Sequence, residues 1–94
     1  MLNFEWDASK ARLNLTKHQV SFESATTVFG DPHSLTIANP KHSQTENRFI
    51  ILGRSYDEKL LVVVYTERGD NIRNISARLA SRRERKQYED EEAS

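Results

Sequence analysis

The positive charge of this chain is concentrated between Asn71 and Tyr88. The full sequence of 94 residues has no net charge, yet this stretch holds six basic residues against one acid, Glu84, a local charge of +5 (six minus one). The basic residues are Arg73, Arg78, Arg82, Arg83, Arg85 and Lys86. Guanidinium groups bind phosphodiesters through paired N–H donors and stabilise the additional negative charge of a phosphoryl transition state. The stretch therefore predicts a surface that binds a polyanion.

Most other chemistries lack support in the sequence. There is no cysteine, which excludes disulfides, thiol nucleophiles and thiolate metal sites. The histidines His18, His33 and His42 lie in separate segments without the spacing of metal ligands, so we expect neither a metal nor another cofactor. Glycine-rich phosphate loops and GxSxG motifs are also missing. RNA chemistry remains possible, because the 2'-hydroxyl attacks the adjacent phosphorus and side chains can supply base, acid and cation.

Such a site also needs a proton-transfer residue. Glu46 is the favoured base, because it lies beside Arg48 in a polar loop over residues 39–47. An ordinary surface carboxylate is the alternative for Glu46, and His18 and Tyr65 are kept in reserve. His18 has an alternative of its own, a packed or capping histidine at a helix end.

Two helices are predicted before the sheet. Asp7 is a candidate N-cap for a helix over residues 8–18, whose apolar stripe consists of Ala8, Ala11, Leu15 and His18, with Lys10, Asn14 and Lys17 opposite. Ser21 begins a second, short helix that ends at Gly30-Asp31-Pro32, with the glycine as C-cap. Both helices are interpreted as structural.

The strands are predicted over residues 35–37, 48–54, 60–65 and 72–78. Because short turns join the later strands, we expect antiparallel pairing. Strict alternation in the last strand places Arg73, Ile75 and Ala77 on one face, and Ile72, Asn74, Ser76 and Arg78 on the other.

A capping box, Ser81 to Glu84, predicts that the final helix begins at Arg82. Arg82 and Arg83 then lie at the positive end of the helix dipole, an unfavourable position that a bound phosphate would relieve. Solvated surface arginines are the alternative.

Together these elements predict one α+β domain over residues 1–94. It has two N-terminal helices, an antiparallel sheet of three to four strands and a C-terminal helix, with the helices on one side of the sheet. No apolar run reaches the roughly 18 residues that span a membrane, and no signal segment is evident, so we expect a cytoplasmic protein without membrane contact.

Several motifs in combination give a family resemblance. They are FEWD, KARLNLTKH, ATTVFGDP, LLVVVYTERGD, and ISAR followed by SRRERKQYE. In this order the sequence resembles the BrnT family of bacterial toxins. The resemblance implies a RelE-like fold and metal-independent RNA cleavage in a type II toxin-antitoxin system. It also implies neutralisation by a BrnA-like ribbon-helix-helix antitoxin, through which alone the complex would bind operator DNA.

The resemblance also implies roles for individual residues. Glu46 would transfer protons, Arg68 and Arg78 would bind the phosphate or its transition state, and Arg82 and Arg83 would contact the RNA backbone, together with Arg48. Tyr88 belongs to the same C-terminal motif as Glu84 and is kept in reserve.

At two positions the sequence departs from the family pattern. Gln19 stands where the family usually has glycine, and Asn74 stands at a strand position that is commonly apolar. The first departure affects a helix end that favours a left-handed residue, and the second predicts a wetter sheet face beside Arg78.

A second hypothesis is a non-catalytic nucleic-acid-binding module, or a degenerate toxin that only binds its antitoxin. It explains the basic stretch equally well and predicts salt-sensitive binding without turnover.

Overall fold

The computed structural model describes residues 2–38 and 47–93. Five strands form one sheet, two helices precede the long strands, and a third helix follows them. The elements in chain order are β1 (Asn3–Glu5), α1 (Ala8–His18), α2 (Phe22–Thr27), β2 (Leu35–Ala38), β3 (Arg48–Arg54), β4 (Leu60–Arg68), β5 (Asn71–Leu79) and α3 (Arg82–Glu92).

The predicted helix starts are confirmed. The side chain of Asp7 accepts a hydrogen bond from the Lys10 N–H at 3.0 Å, and Ser21 accepts one from the Ser24 N–H at 3.0 Å. Ser81 and Glu84 form the reciprocal capping box that starts α3 at Arg82. The predicted C-cap at Gly30 is wrong, because α2 ends at Thr27 and continues as a 3-10 turn through Gly30.

The sheet has five strands in the order β1-β5-β4-β3-β2, not three or four, and it is mixed. The extra strand is β1, which pairs parallel to β5 through Asn3 with Asn71 and Glu5 with Arg73. All other neighbours are antiparallel, as predicted. A three-residue strand whose partner lies 68 residues later (71 minus 3) has no local signature, so the sequence pattern did not predict it.

Helices pack on both faces of the sheet, which corrects the prediction of helices on one side. One cluster joins Val20, Phe22, Ala25 and Val28 to the inward residues of the strands. On the opposite face, Tyr88 of α3 packs against Leu52, Leu60 and Val62. The continuous apolar run of β4 is the physical reason, because a strand that is apolar on both faces needs cover on both.

Helix α1 buries Ala11 of the predicted stripe but not Leu15, and it buries Asn14, which was predicted on the opposite side. Leu15 is 52% exposed, whereas Asn14 is only 7% exposed. The Asn14 amide group donates to the carbonyls of Ala77 (2.8 Å) and Val20 (2.9 Å) and accepts from the Ala77 N–H (3.0 Å). Because β1 pairs with β5 only as far as Arg73, the Asn14 side chain serves the outer edge of β5 at Ala77 in place of a strand.

A β-bulge in β5 changes which residues share a face. Val64 pairs with Ser76 but Tyr65 pairs with Asn74, so Ile75 is the additional residue. As a result Ile72, Asn74 and Ala77 all face α1 and α2, and strict alternation beyond Asn74 was wrong. In the described residues, 2–38 and 47–93, no helix is long and apolar enough to cross a bilayer.

Candidate functional site

Every arginine of the β-strands lies on the sheet face that also carries α3. The pairing register places Arg48, Thr66 and Arg73 side by side in one row, and Leu52, Val62 and Arg78 in another. Directly paired residues point to the same side of a sheet, so the bulge at Ile75 brings Arg73 and Arg78 onto one face. We call this surface, with Arg48, Arg54, Arg68, Arg73 and Arg78, the arginine face.

Helix α3 covers only one end of the arginine face. Tyr88 packs over Leu52, Leu60 and Val62, while Ile50, Val64 and Ser76 in the next row remain half-buried. Strands β3, β4 and β5 therefore form a partly open floor that begins beside Arg78.

Arg78 is held by Glu84 across the junction between β5 and α3. Its Nη1 donates to Glu84 Oε1 at 2.8 Å and its Nη2 donates to Oε2 at 2.9 Å, a two-pronged ion pair. Glu84 Oε1 also accepts from the Ser81 N–H at 2.8 Å. The hydrogen bonds from Arg78 are the main reason that the pKa of Glu84 falls from 4.5 to about 2, and Glu84 in turn raises the pKa of Arg78.

Arg78 still has donors for a ligand. A guanidinium has five N–H donors, and within residues 2–38 and 47–93 three of those of Arg78 are used, two by Glu84 and one by the Leu79 carbonyl at 3.2 Å. The two that remain (five minus three) are one on Nη2 and the one on Nε. They form the side edge of the guanidinium, which can bind two oxygens of a phosphate while Glu84 holds the other edge.

Arg82 and Arg83 follow Arg78 closely in the chain and are exposed in the first turn of α3. The capping box satisfies the Glu84 N–H through the Ser81 hydroxyl, while the helix dipole still favours an anion there. The structure thus places Arg78, Arg82 and Arg83 around one strand-to-helix junction.

Arg68 lies at the far end of the face. Arg78 pairs with Val62 of β4, and Arg68 lies six positions after Val62 on the same strand. Arg68 and Arg78 are therefore about 20 Å apart along the strand direction. Arg48 and Arg73 lie between them, and Arg73 pairs with Glu5 of β1 at 3.6 Å. Arg68 and Arg78 are therefore too far apart to bind one phosphate group.

The three reserve residues are not on the open part of this face. Tyr65 lies in the main core between Phe29 and Phe49, and burial raises its pKa. His18 lies at the end of α1, where it lines a cleft of about 470 Å³ beside Ile75.

The Tyr88 side chain is buried between α3 and the sheet, where its hydroxyl donates to Asp31 Oδ2 at 2.7 Å. Burial and this hydrogen bond raise the pKa of Tyr88. Asp31 also accepts from the Arg54 N–H at 2.8 Å, and the Arg54 guanidinium lies 5.3 Å from the centre of the Tyr88 ring. Burial alone would raise the pKa of Asp31, but its hydrogen bonds outweigh burial and lower it. Tyr88 and Asp31 therefore join α3 to the end of β3.

Glu46, the predicted base, lies outside the described residues. Within residues 2–38 and 47–93, no group of three or more histidine, aspartate or glutamate side chains is arranged to hold a metal ion.

Two parts of the site were missed from sequence. The capping box identified Glu84 as a helix cap but gave no sign that it pairs with Arg78, six residues earlier. Arg54 and Arg73 were not assigned, because only the bulge and the strand register show that they share a face with Arg78. The available signal was partial: Arg48 and Arg54 share a face of β3 by alternation, but strict alternation places Arg73 and Arg78 on opposite faces of β5.

The fold of this chain is similar to that of a known toxin. The crystal structure of the Brucella abortus ribonuclease toxin, BrnT, superposes with a TM-score of 0.64 at 20% sequence identity, covering 87% of this chain and 100% of that one. A sequence model of the family described as "Ribonuclease toxin, BrnT, of type II toxin-antitoxin system" matches residues 6–84. The chain therefore belongs to the BrnT family of ribonuclease toxins. Among curated proteins, none matches it in sequence.

Proposed function

We propose that this chain cleaves RNA without a metal ion and that the reaction takes place on the arginine face beside Arg78. Family membership supplies the class, a ribonuclease toxin of a type II toxin-antitoxin system. The observation that carries the location is the Arg78 guanidinium, which Glu84 fixes by one edge while the other edge keeps two free donors.

In the proposed reaction the 2'-oxygen of a ribose forms a bond to the adjacent phosphorus, and the bond from phosphorus to the 5'-oxygen breaks. A base takes the proton of the 2'-hydroxyl and an acid gives a proton to the departing 5'-oxygen, which leaves a 2',3'-cyclic phosphate and a 5'-hydroxyl. The two remaining donors of Arg78 bind the phosphate oxygens, whose charge increases in the transition state. Arg82 and Arg83 bind the flanking phosphates.

Glu84 is a positioning residue in this scheme rather than the base. With its pKa lowered to about 2, it stays ionised at neutral pH and is a weak proton acceptor. It holds Arg78 in one orientation, which limits the reorganisation needed when the phosphate arrives. We assign the base to Glu46, and Arg48 and Arg68 to nucleotides further along the strand.

The partner of a type II toxin is its antitoxin, and we infer a BrnA-like ribbon-helix-helix protein that covers the arginine face. Operator DNA would then contact the antitoxin and not this chain. Because RNA is the proposed substrate, we propose that the chain acts in the cytoplasm.

A second candidate function is RNA or antitoxin binding without cleavage. It is favoured by two ion pairs on the arginine face, in which Glu5 pairs with Arg73 and Glu84 pairs with Arg78. Neither carboxylate is available as a base without losing its arginine partner.

The deciding experiment incubates the purified chain with RNA in excess EDTA, alongside Arg78→Ala, Glu46→Ala and Arg12→Ala. Arg12 is an exposed arginine of α1, so Arg12→Ala matches the charge change away from the site. We expect cleavage in EDTA by the wild type and by Arg12→Ala, and a loss of about 100-fold or more for Arg78→Ala. Intact RNA under all metal conditions would exclude the nuclease, and cleavage abolished by EDTA alone would exclude the metal-free mechanism.

A further inference from the structure

A cleft of about 130 Å³ opens on the arginine face where α3 leaves the sheet. Its floor is aliphatic, with Ile37 of β2 and Ile50 and Leu52 of β3 as central residues. Its wall is polar and consists of Arg78, Glu84 and Gln87. The cleft thus places an apolar surface next to the guanidinium that carries the proposed function.

The floor is not fully covered by the protein itself. Ile37 is 61% exposed and its paired neighbour Ile50 is half-buried, while Leu52 lies under Tyr88. A single exposed isoleucine is ordinary. Here it continues a row of apolar side chains that runs under the edge of α3, so a ligand that entered the cleft would bury apolar area.

Size and chemistry restrict what could occupy the cleft. Its volume is below the roughly 300 to 1,000 Å³ of pockets for drug-sized ligands, which suits a single planar ring system. The ring would lie on the aliphatic floor, and a phosphate joined to it would reach the side edge of Arg78. A nucleotide combines these two groups.

We propose that the cleft between α3 and the sheet binds one nucleobase of the RNA, next to the phosphate held by Arg78. The inference rests on the proposed function, since it names a substrate contact of the same site. Single-stranded RNA suits this arrangement, because its bases can be unstacked and read along their edges.

Gln87 is the residue that would read the base. It lies one helical turn after Glu84, on the same side of α3, and its side-chain amide makes no hydrogen bond within the described part of the chain. Its amide group offers one acceptor and two donors, which suits the mixed edge of a base. Gln87 is therefore a specificity-determining residue for the nucleotide beside the cleaved bond.

An aliphatic side chain from a protein partner would also fit the floor. It would leave the two remaining donors of Arg78 and the Gln87 amide without a function, and for that reason the nucleobase is the better occupant. The two occupants are separated by the probes below.

The first test records methyl NMR spectra of the full wild-type chain during titration with each of the four nucleoside 3'-monophosphates, and with inorganic phosphate as the control. Ring currents from a bound base should shift the methyl resonances of Ile37, Ile50 and Leu52 with at least one nucleotide and not with inorganic phosphate. If all four nucleotides move no more methyl signals than phosphate does, the inference is wrong.

The second test measures cleavage of oligoribonucleotides that differ at one position beside the cleaved bond. Ile50→Phe fills the cleft and should lower kcat/KM at least about tenfold, whereas Ile75→Phe, a matched change at the bulge, should not. Gln87→Ala should reduce the preference among the four bases about fivefold, the value of one hydrogen bond, and Glu89→Ala on an exposed part of α3 should leave it unchanged. Thermal unfolding confirms that each variant folds.

The outcomes separate this inference from the proposed function. Methyl shifts with a nucleotide but no RNA cleavage would keep the binding site and remove the nuclease. Cleavage that is indifferent to both Ile50→Phe and Gln87→Ala would keep the nuclease and remove the base-binding cleft.

Discussion

Arg78 and Glu84 form two parallel hydrogen bonds, of 2.8 and 2.9 Å, between the end of β5 and the first turn of α3. The Arg78 side chain is 45% exposed and that of Glu84 is 27% exposed, so water weakens the pair without removing it. Because Glu84 also accepts from the Ser81 N–H, the same carboxylate caps α3 and orients the arginine. The helix start and the proposed phosphate site are thus one structure.

This pair should make stability depend on pH in the acidic range. The pKa of Glu84 is lower in the folded chain, about 2 against 4.5, so between these values the unfolded chain binds more protons. Stability from the pair is therefore complete above about pH 4.5 and is lost as the pH falls towards 2. We expect the free energy of unfolding of Glu84→Gln to be about 1 kcal/mol lower than that of the wild type at pH 6. Near pH 2 the two values should be equal. Urea unfolding at both pH values measures this.

Other carboxylates act in the same direction, since the pKa values of Asp7, Asp31 and Asp57 are also lowered. They are present in both chains and cancel in the difference between wild type and Glu84→Gln. A difference that stayed constant from pH 6 to pH 2 would show that the charge of Glu84 contributes nothing.

Removal of the Asn74 amide should stabilise the fold. Asn74 is 1% exposed, and in the part of the chain that the structure describes neither its Nδ2 nor its Oδ1 has a hydrogen-bond partner. Burial of an unpaired amide costs about 1 to 3 kcal/mol. Asn74→Leu, which keeps the number and branching of the side-chain heavy atoms, is expected to raise the free energy of unfolding by about that amount, as measured by urea unfolding at neutral pH.

Asn14→Leu is the matched control, because it makes the same change at another buried asparagine. Asn14 satisfies the N–H and carbonyl of Ala77 and the carbonyl of Val20, so its removal leaves three buried groups unpaired. We expect a loss of about 3 kcal/mol or more. If both substitutions changed the free energy of unfolding in the same direction, this account of buried amides would be wrong.

The left-handed end of α1 is a position where glycine should be better than the native residue. Gln19 has φ 56° and ψ 32°, a conformation that costs a residue with a Cβ atom about 1 kcal/mol. The hydrogen bond from its Nε2 to the Thr16 carbonyl is exposed and contributes little. Gln19→Gly should raise the thermal midpoint, with a gain of about 0.5 to 1 kcal/mol. Arg12→Gly, inside the helix, should lower stability by about 1 kcal/mol.

Arg82 and Arg83 should determine part of the salt dependence of RNA binding. If each contacts one phosphate, the double substitution Arg82→Ala with Arg83→Ala reduces the slope of log K against log salt by about 1.4. Binding is measured with a 2'-O-methyl oligonucleotide, which cannot be cleaved through the 2'-hydroxyl. The same pair of changes at Lys10 and Arg12 of α1 should leave the slope as in the wild type.

The sequence predicted those elements whose signals are local. The caps at Asp7, Ser21 and Ser81, the helix over residues 8–18 and the strand over residues 48–54 all agree with the structure. Side-chain chemistry next to the backbone determines these features, and it can be read from a few consecutive residues.

The features that were wrong depend on distant contacts. Asn14 looked polar and outward because helical periodicity does not show that an amide pairs with a strand edge 63 residues away. Alternation in β5 failed at Ile75 because a bulge is defined by the partner strand. The arginine face depends on the register of β3, β4 and β5 together, so the sequence identified Arg48, Arg68 and Arg78 but not the surface that they share with Arg54 and Arg73.

The parallel pairing of β1 with β5 also determines when this surface can form during synthesis. Asn3 to Glu5 are synthesised before their partners Asn71 to Arg73, which follow 68 residues later (71 minus 3). The sheet edge beside Arg73 therefore closes only after Asn71 to Arg73 have been made, through a contact of long sequence separation that slows folding. A nascent chain thus carries the arginine face in incomplete form until β5 has been synthesised.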